Sequence, residues 1–200
     1  MSNKDLALSE YEEQTFEGLT LHEGEVAARS FHACVFHCCS FVQTAFRDCR
    51  FIDCTFIDCD LSLCRVEGCT FATTRFRQSQ LMPINWTEAS WPRRGLFRSI
   101  DFNDCVLNHS TFIGLGLRGI TLTSCLARDV DFAETDLLRA DCTHSDFSDS
   151  RFLHTNLTEA DFTGATGYAI DAGLNVLKKT RFSLPEAMSL LCSLDIVLTE

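Results

Sequence analysis

The sequence predicts an all-β solenoid built of four-sided coils, and three observations predict it. Phe31, Phe36, Phe41, Phe46, Phe51 and Phe56 follow one another at intervals of five. Two places before each such centre stands a mostly small residue, and nine of the 12 cysteines occupy that slot. Finally, neither a helix, with a period of 3.6, nor a flat strand, with a period of 2, produces a repeat of five. A chain that turns a corner every five residues does, with the centre and the residue two before it facing inward. Four corners close a coil in 20 residues, so residues 20 apart stack at about 4.8 Å.

The register extends backwards through Val26, Leu21 and Phe16, and forwards through Leu61, Val66, Phe71, Phe76, Leu81, Trp86, Trp91 and Leu96. One residue is then inserted, and the period resumes at Phe102 and runs to Phe162. Fifteen of the 17 phenylalanines fall on a centre, Phe97 and Phe182 being the exceptions. The expected core is a ladder of rings beside a ladder of small side chains, each coil stable only against its neighbours.

Three segments depart from the repeat. Residues 1–14 are polar and acidic and read as an N-terminal cap or flexible segment. The repeat proper spans 15–167 and is irregular at 82–101, where Trp86, Trp91 and Pro92 mark a kink in the rod. In 168–200 the period is lost. Pro185 and Glu186 read as the start of a short α-helix, with Met188, Leu190, Leu191 and Leu194 on one stripe and Ile196-Val197-Leu198 as a strand-like end. This tail is expected to cap the last open coil.

Ala140-Asp141-Cys142, Ser145-Asp146-Phe147, Thr155-Asn156-Leu157 and Ala160-Asp161-Phe162 resemble the pentapeptide-repeat family, written A-(D/N)-L-x-x. That resemblance implies a right-handed quadrilateral β-helix. Asn85-Trp86-Thr87-Glu88-Ala89-Ser90-Trp91-Pro92 resembles a segment of the albicidin-resistance pentapeptide protein. The tail from Ser189 to Leu198 is similar to that of the quinolone-resistance (Qnr) family, which implies a homodimer interface at Met188, Leu190, Leu191, Leu194, Ile196, Val197 and Leu198. The chain lacks the long loop insertions of Qnr proteins.

Function is read first by exclusion. A net charge of −11 argues against direct nucleic-acid binding, which needs a basic footprint. No apolar stretch approaches the roughly 18 residues that span a bilayer, and no secretory signal is visible, so a cytoplasmic protein with free thiols is expected. The small-residue slot reads as apolar filler, leaving Cys38, on an outward position, as the most reactive thiol. No metal site, cofactor site or catalytic constellation stands out, and the expectation is a binding protein, not an enzyme.

Charge supplies the candidate surface. Residues 99–172 hold 12 acids against four arginines. On two adjacent faces of the coil lie Asp101, Asp104, Asp129, Asp141, Asp146, Asp149 and Asp161, an acidic strip offset within that stretch by Arg128 alone. The resemblance to albicidin-resistance, Qnr and microcin-immunity (McbG) proteins implies that such a strip imitates DNA toward DNA gyrase, or topoisomerase IV, and protects the enzyme from a poison. The alternative is a scaffold or adaptor with an unrelated protein partner.

Overall fold

A computed structural model of the chain describes residues 6–91 and 100–194, apart from the side chain of Cys192. Short parallel strands stack coil upon coil with register offsets of 20, as in Phe16↔Phe36↔Phe56↔Phe76 on one face and Tyr11↔Phe31↔Phe51↔Phe71 on another. Two further faces carry the ladders Thr20–Ser40–Asp60–Gln80 and Glu25–Ala45–Arg65. We name the faces after Phe36, Phe41, Phe46 and Phe51. The Phe36 face continues through Phe102, Leu122, Cys142 and Phe162 to Phe182, nine levels in all. At about 4.8 Å per level these span roughly 38 Å. The fold is the quadrilateral β-solenoid that the period of five predicts.

The core is the predicted double ladder. Phe36 stacks on Phe56 with ring centroids 4.5 Å apart, and Phe31 on Phe51 at 5.1 Å. Rings on neighbouring faces meet edge to face, as Phe41 and Phe46 do at 5.4 Å and 73°. Rings such as Phe31, Phe36 and Phe51 are stacked along the rod and T-shaped across it, and so satisfy the ring quadrupole in both directions.

The corner sits between a centre and the next slot, and its second residue is left-handed at coil after coil, including Cys38, Asp104, Asp129, His144 and Asp149. A type II turn requires that conformation there. In closed corners the slot N–H donates to the centre carbonyl, as Leu115 does to Phe112 at 3.1 Å. In open corners a side chain of the coil above is inserted between the two groups. Ser145 Oγ accepts from Cys125 N at 2.8 Å and donates to Leu122 O at 2.6 Å, and Ser110 and Asn175 bridge their corners in the same way.

The thiols of the slot are therefore more than filler. Cys54, Cys59, Cys64 and Cys69 each donate to the centre carbonyl 23 residues earlier, at 2.9–3.4 Å. Burial pushes the Cys54 and Cys64 thiols up to about 12, which keeps them protonated and able to donate. A slot that must donate to a buried carbonyl selects Cys, Ser and Thr over Ala.

Three features differ from the sequence reading. The first coil begins earlier than residue 15: Glu10–Glu12 pairs in register with Ser30–His32, and Tyr11 stacks on Phe31. The irregular coil holds a six-residue insertion, not one residue, because Phe102 pairs with Phe76 and Asn85 with Thr111, both 26 apart. Phe102 thus takes the level above Phe76, and Leu96 lies outside the described residues. At the other end Leu177 and Phe182 stay in the coil, the strand pair Asp161–Phe162 matching Arg181–Phe182 at an offset of 20, so the repeat outlasts residue 167.

The tail helix, Glu186–Leu194, is a 3-10 helix rather than an α-helix. Glu186 Oε1 accepts from Gly167 N at 2.7 Å, and Ser189 Oγ donates to Tyr168 O at 3.3 Å. Three residues per turn align those two side chains over the end of the coil, and 3.6 would rotate one of them away. No helix among the described residues is long and apolar enough to cross a membrane.

Candidate functional site

The strip occupies the Phe36 and Phe41 faces of the C-terminal half, and its seven carboxylates fall into two kinds. Asp101, Asp141, Asp146 and Asp161 stand immediately before a centre and are half-buried. Three of them close a local turn: Oδ1 of Asp141, Asp146 and Asp161 accepts from the N–H two residues on, at Thr143, Ser148 and Thr163. Asp101 Oδ1 instead accepts from Thr121 N in the coil above, at 2.9 Å. This is the physical content of the Asp/Asn position in the repeat, because these short side chains reach that N–H better than any other.

Asp146 and Asp161 are also ion-paired. Asp146 Oδ2 lies 2.6 Å from Arg128, and Asp161 Oδ2 lies 3.1 Å from Arg181. Partial burial pushes both carboxyls up, but the hydrogen bonds from Ser148 and Thr163 and the pairing guanidiniums outweigh it and hold both below their ordinary value. Arg181 reaches the strip only because the coil continues past 167. Its offset of exactly one coil from Asp161 was the available signal.

Asp104, Asp129 and Asp149 are the second kind. They occupy the left-handed corner position and project outward, exposed. Asp129 Oδ2 lies 2.9 Å from His109 Nδ1 in the coil below, and Asp149 stacks one coil above Asp129. Seven carboxylates against Arg128 and Arg181 leave at most five net negative charges on a stretch of about 19 Å, where B-DNA carries roughly 11. The strip stops abruptly at its N-terminal end. There Arg75 pairs in register with Asp101 and Arg77 with Asn103, and both arginines line an open groove with Asp101, Asp104 and Thr121.

The other predicted residues lie apart from the strip. Trp86 is a fully buried centre of the Phe46 face, stacked on Phe112 at 5.8 Å, and its indole N–H has no hydrogen-bond partner among the described residues. Trp91 sits on the Phe51 face, its Nε1 donating to Trp86 O at 2.7 Å. The two rings pin the start of the long coil, and the parallel ladders continue across it. Pro92 lies outside the described residues. In the tail Leu190 packs on the core, Leu191 is half-buried, and Met188 and Leu194 are exposed. Ile196, Val197 and Leu198 lie outside the described residues.

Known proteins match this architecture. The family description "Pentapeptide repeat region" matches residues 29–99, and "Pentapeptide repeats (8 copies)" matches residues 128–164. No curated protein matches the chain in sequence. Among solved structures, a trypsin-treated form of QnrB1, a plasmid-mediated fluoroquinolone resistance protein, superposes with a TM-score of 0.74 at 15% identity, over 96% of this chain and 99% of that one. Full-length QnrB1 gives 0.51 at 18% identity, over 91% and 100%. HetL, a pentapeptide repeat protein of the cyanobacterium Nostoc sp. strain PCC 7120 involved in heterocyst differentiation regulation, gives 0.42 at 14% identity, over 89% and 91%. The repeat-by-repeat matches and the four-faced coil with its Asp/Asn turns agree, and the chain belongs to the pentapeptide-repeat proteins.

Proposed function

We propose that this protein is a DNA mimic that binds DNA gyrase, or topoisomerase IV, and protects it from a poison such as albicidin, a quinolone or a microcin. The observation that carries the reading is the one-sided strip: a rod with exposed carboxylates at Asp104, Asp129 and Asp149 on two adjoining corners of its C-terminal half. The fold match to QnrB1, a fluoroquinolone resistance protein, along nearly the whole chain supports it. With about half the charge of the duplex it imitates, the rod competes by shape first and by charge second. In this reading the exposed Met188 and Leu194 belong to a homodimer seam that doubles the rod, and the protein works in the cytoplasm without catalysis or cofactor.

The scaffold reading is favoured by one specific observation. Four of the seven strip carboxylates are committed to hydrogen bonds within the fold, and Asp146 and Asp161 to ion pairs as well. Such residues serve folding whatever the partner.

A gyrase supercoiling assay separates the two, run with and without each poison. The wild-type protein is expected to restore supercoiling against one class of poison. The triple variant Asp104→Asn, Asp129→Asn, Asp149→Asn is expected to fold normally and lose that protection. Full protection by the triple variant would sink the mimicry mechanism, and no effect of the wild-type protein on any poison would favour the scaffold.

A further inference from the structure

Outside the strip, one cluster joins a thiol, an imidazole and two carboxylates. Glu17, His37 and Asp58 come from three successive coils of the Phe36 face, one above another. Glu17 Oε1 lies 2.7 Å from His37 Nδ1. A proton held there by the carboxylate leaves the lone pair of Nε2 free, facing away from Glu17. Cys38 Sγ lies 3.6 Å from that Nε2, and Asp58 Oδ2 also lies 3.6 Å from it. Donor atoms of Glu17, His37 and Cys38 all fall within 4.8 Å of one another.

The two distances from Nε2 suit two edges of a tetrahedral metal site. With metal–nitrogen and metal–sulfur bonds of about 2.0 and 2.3 Å, the two ligand atoms stand roughly 3.5 Å apart. Thiolate and imidazole together select zinc-type ions over calcium or magnesium, which take oxygen. The left-handed corner conformation of Cys38 is the local cause, since it brings the thiol back beside the ring of the preceding residue. Among the described residues Cys38 is also the one exposed cysteine.

The rod contains its own control. One face earlier, His32 Nδ1 lies 3.6 Å from Glu12 Oε1, and its Nε2 lies 3.7 Å from Asp53 Oδ2. The same cradle is built there, but Ala33 stands where Cys38 stands.

We propose that Cys38 Sγ and His37 Nε2 are the core of a surface site for Zn2+ or a similar thiophilic divalent ion, with the exposed Asp58 carboxylate, 3.6 Å from the same nitrogen, turning in as third ligand, Glu17 orienting the imidazole and water completing the shell. On binding, the Cys38 thiol gives its proton to solvent as the metal–sulfur bond forms. The site is independent of the gyrase reading.

The test is titration of the full-length, reduced protein with Co2+, followed by the thiolate-to-cobalt charge-transfer band and then by displacement with Zn2+. One equivalent per chain is expected. Cys38→Ser is expected to abolish the band, and Glu17→Gln to weaken binding by about 10–100-fold, as loss of an outer-shell carboxylate does. Ala33→Cys is expected to add a second equivalent at His32. Circular dichroism confirms that each variant keeps the fold, because all of these positions face outward. A band that survives in Cys38→Ser, or a folded wild-type protein that shows none at stoichiometric Co2+, would overturn the assignment.

Discussion

The open corner at Leu122–Cys125 allows a sharp test of what the small-residue slot contributes. Ser145 Oγ is the hydrogen-bond partner of both Cys125 N and Leu122 O, and all three residues are buried. Ser145→Ala leaves a buried donor and a buried acceptor, each costing roughly 1–3 kcal/mol when unpaired. The expected loss is about 2–6 kcal/mol, the upper end applying if the corner stays open. Thr135 is the comparison. Its hydroxyl donates to Phe112 O, a carbonyl that already accepts from Leu115 N in a closed corner. Thr135→Val keeps the volume and removes one redundant bond, so about 1 kcal/mol is expected. Urea unfolding followed by far-ultraviolet circular dichroism measures both, as midpoint shifts with a common slope. Equal losses in the two variants would refute the distinction. A Ser145→Ala loss below about 0.5 kcal/mol would show that the open corner closes at no cost, by Cys125 N donating directly to Leu122 O.

Two further outcomes follow from the same geometry. Trp86→Phe removes an indole N–H that has no partner among the described residues, while a phenyl ring keeps the stack on Phe112, so stability is expected to change by less than about 1 kcal/mol; Trp86→Ala should cost about 3–5 kcal/mol, both read from thermal and urea unfolding. Asp146 and Asp161 have carboxyls held below the ordinary aspartate value of 3.8, so their contribution is present above that value and is lost as pH falls through the lowered one. The double variant Asp146→Asn, Asp161→Asn, which keeps the turn acceptors, should therefore lose less stability than the wild type between about pH 6 and pH 3, and an identical acid profile would count against the two ion pairs.

Most of the fold was legible because its governing contacts are local in the period. Phe31 to Phe56 announce the corner spacing, and Ala140-Asp141 to Ala160-Asp161 announce the turn chemistry. What escaped was wherever a coincidence of spacing stood in for a contact. Trp86, Trp91 and Leu96 keep the interval of five, so the insertion looked like one residue, whereas the pairing of Phe76 with Phe102 shows six. Leu177 and Phe182 were invisible because Tyr168 and Ile170, off the interval, fill the core between them and Phe162. The strip was found as composition, but the division of its carboxylates was not, because it depends on which side of the centre each stands. The cluster at His37 required reading three coils together, at offsets of 20 and 21, where a scan for local motifs sees only Glu17, His37-Cys38 and Asp58.

That division bears directly on how a solenoid can imitate a duplex. An acid before a centre is drawn into the turn by an N–H two residues on, or by the coil above, and its charge is held close to the backbone. At the corner, an acid meets no such demand, because the left-handed residue there turns its side chain outward. Counting acids along a pentapeptide-repeat chain therefore overstates the field a partner meets. For this rod the seven aspartates of the strip reduce to three that project, on two adjoining corners, one of which faces His109. A partner that reads charge would be sensitive to those three and nearly indifferent to Asp141, Asp146 and Asp161. A partner that reads only the rigid flat faces would show no such preference. The ratio of effects between corner and pre-centre substitutions thus measures how far recognition is electrostatic, without removing a single turn from the fold.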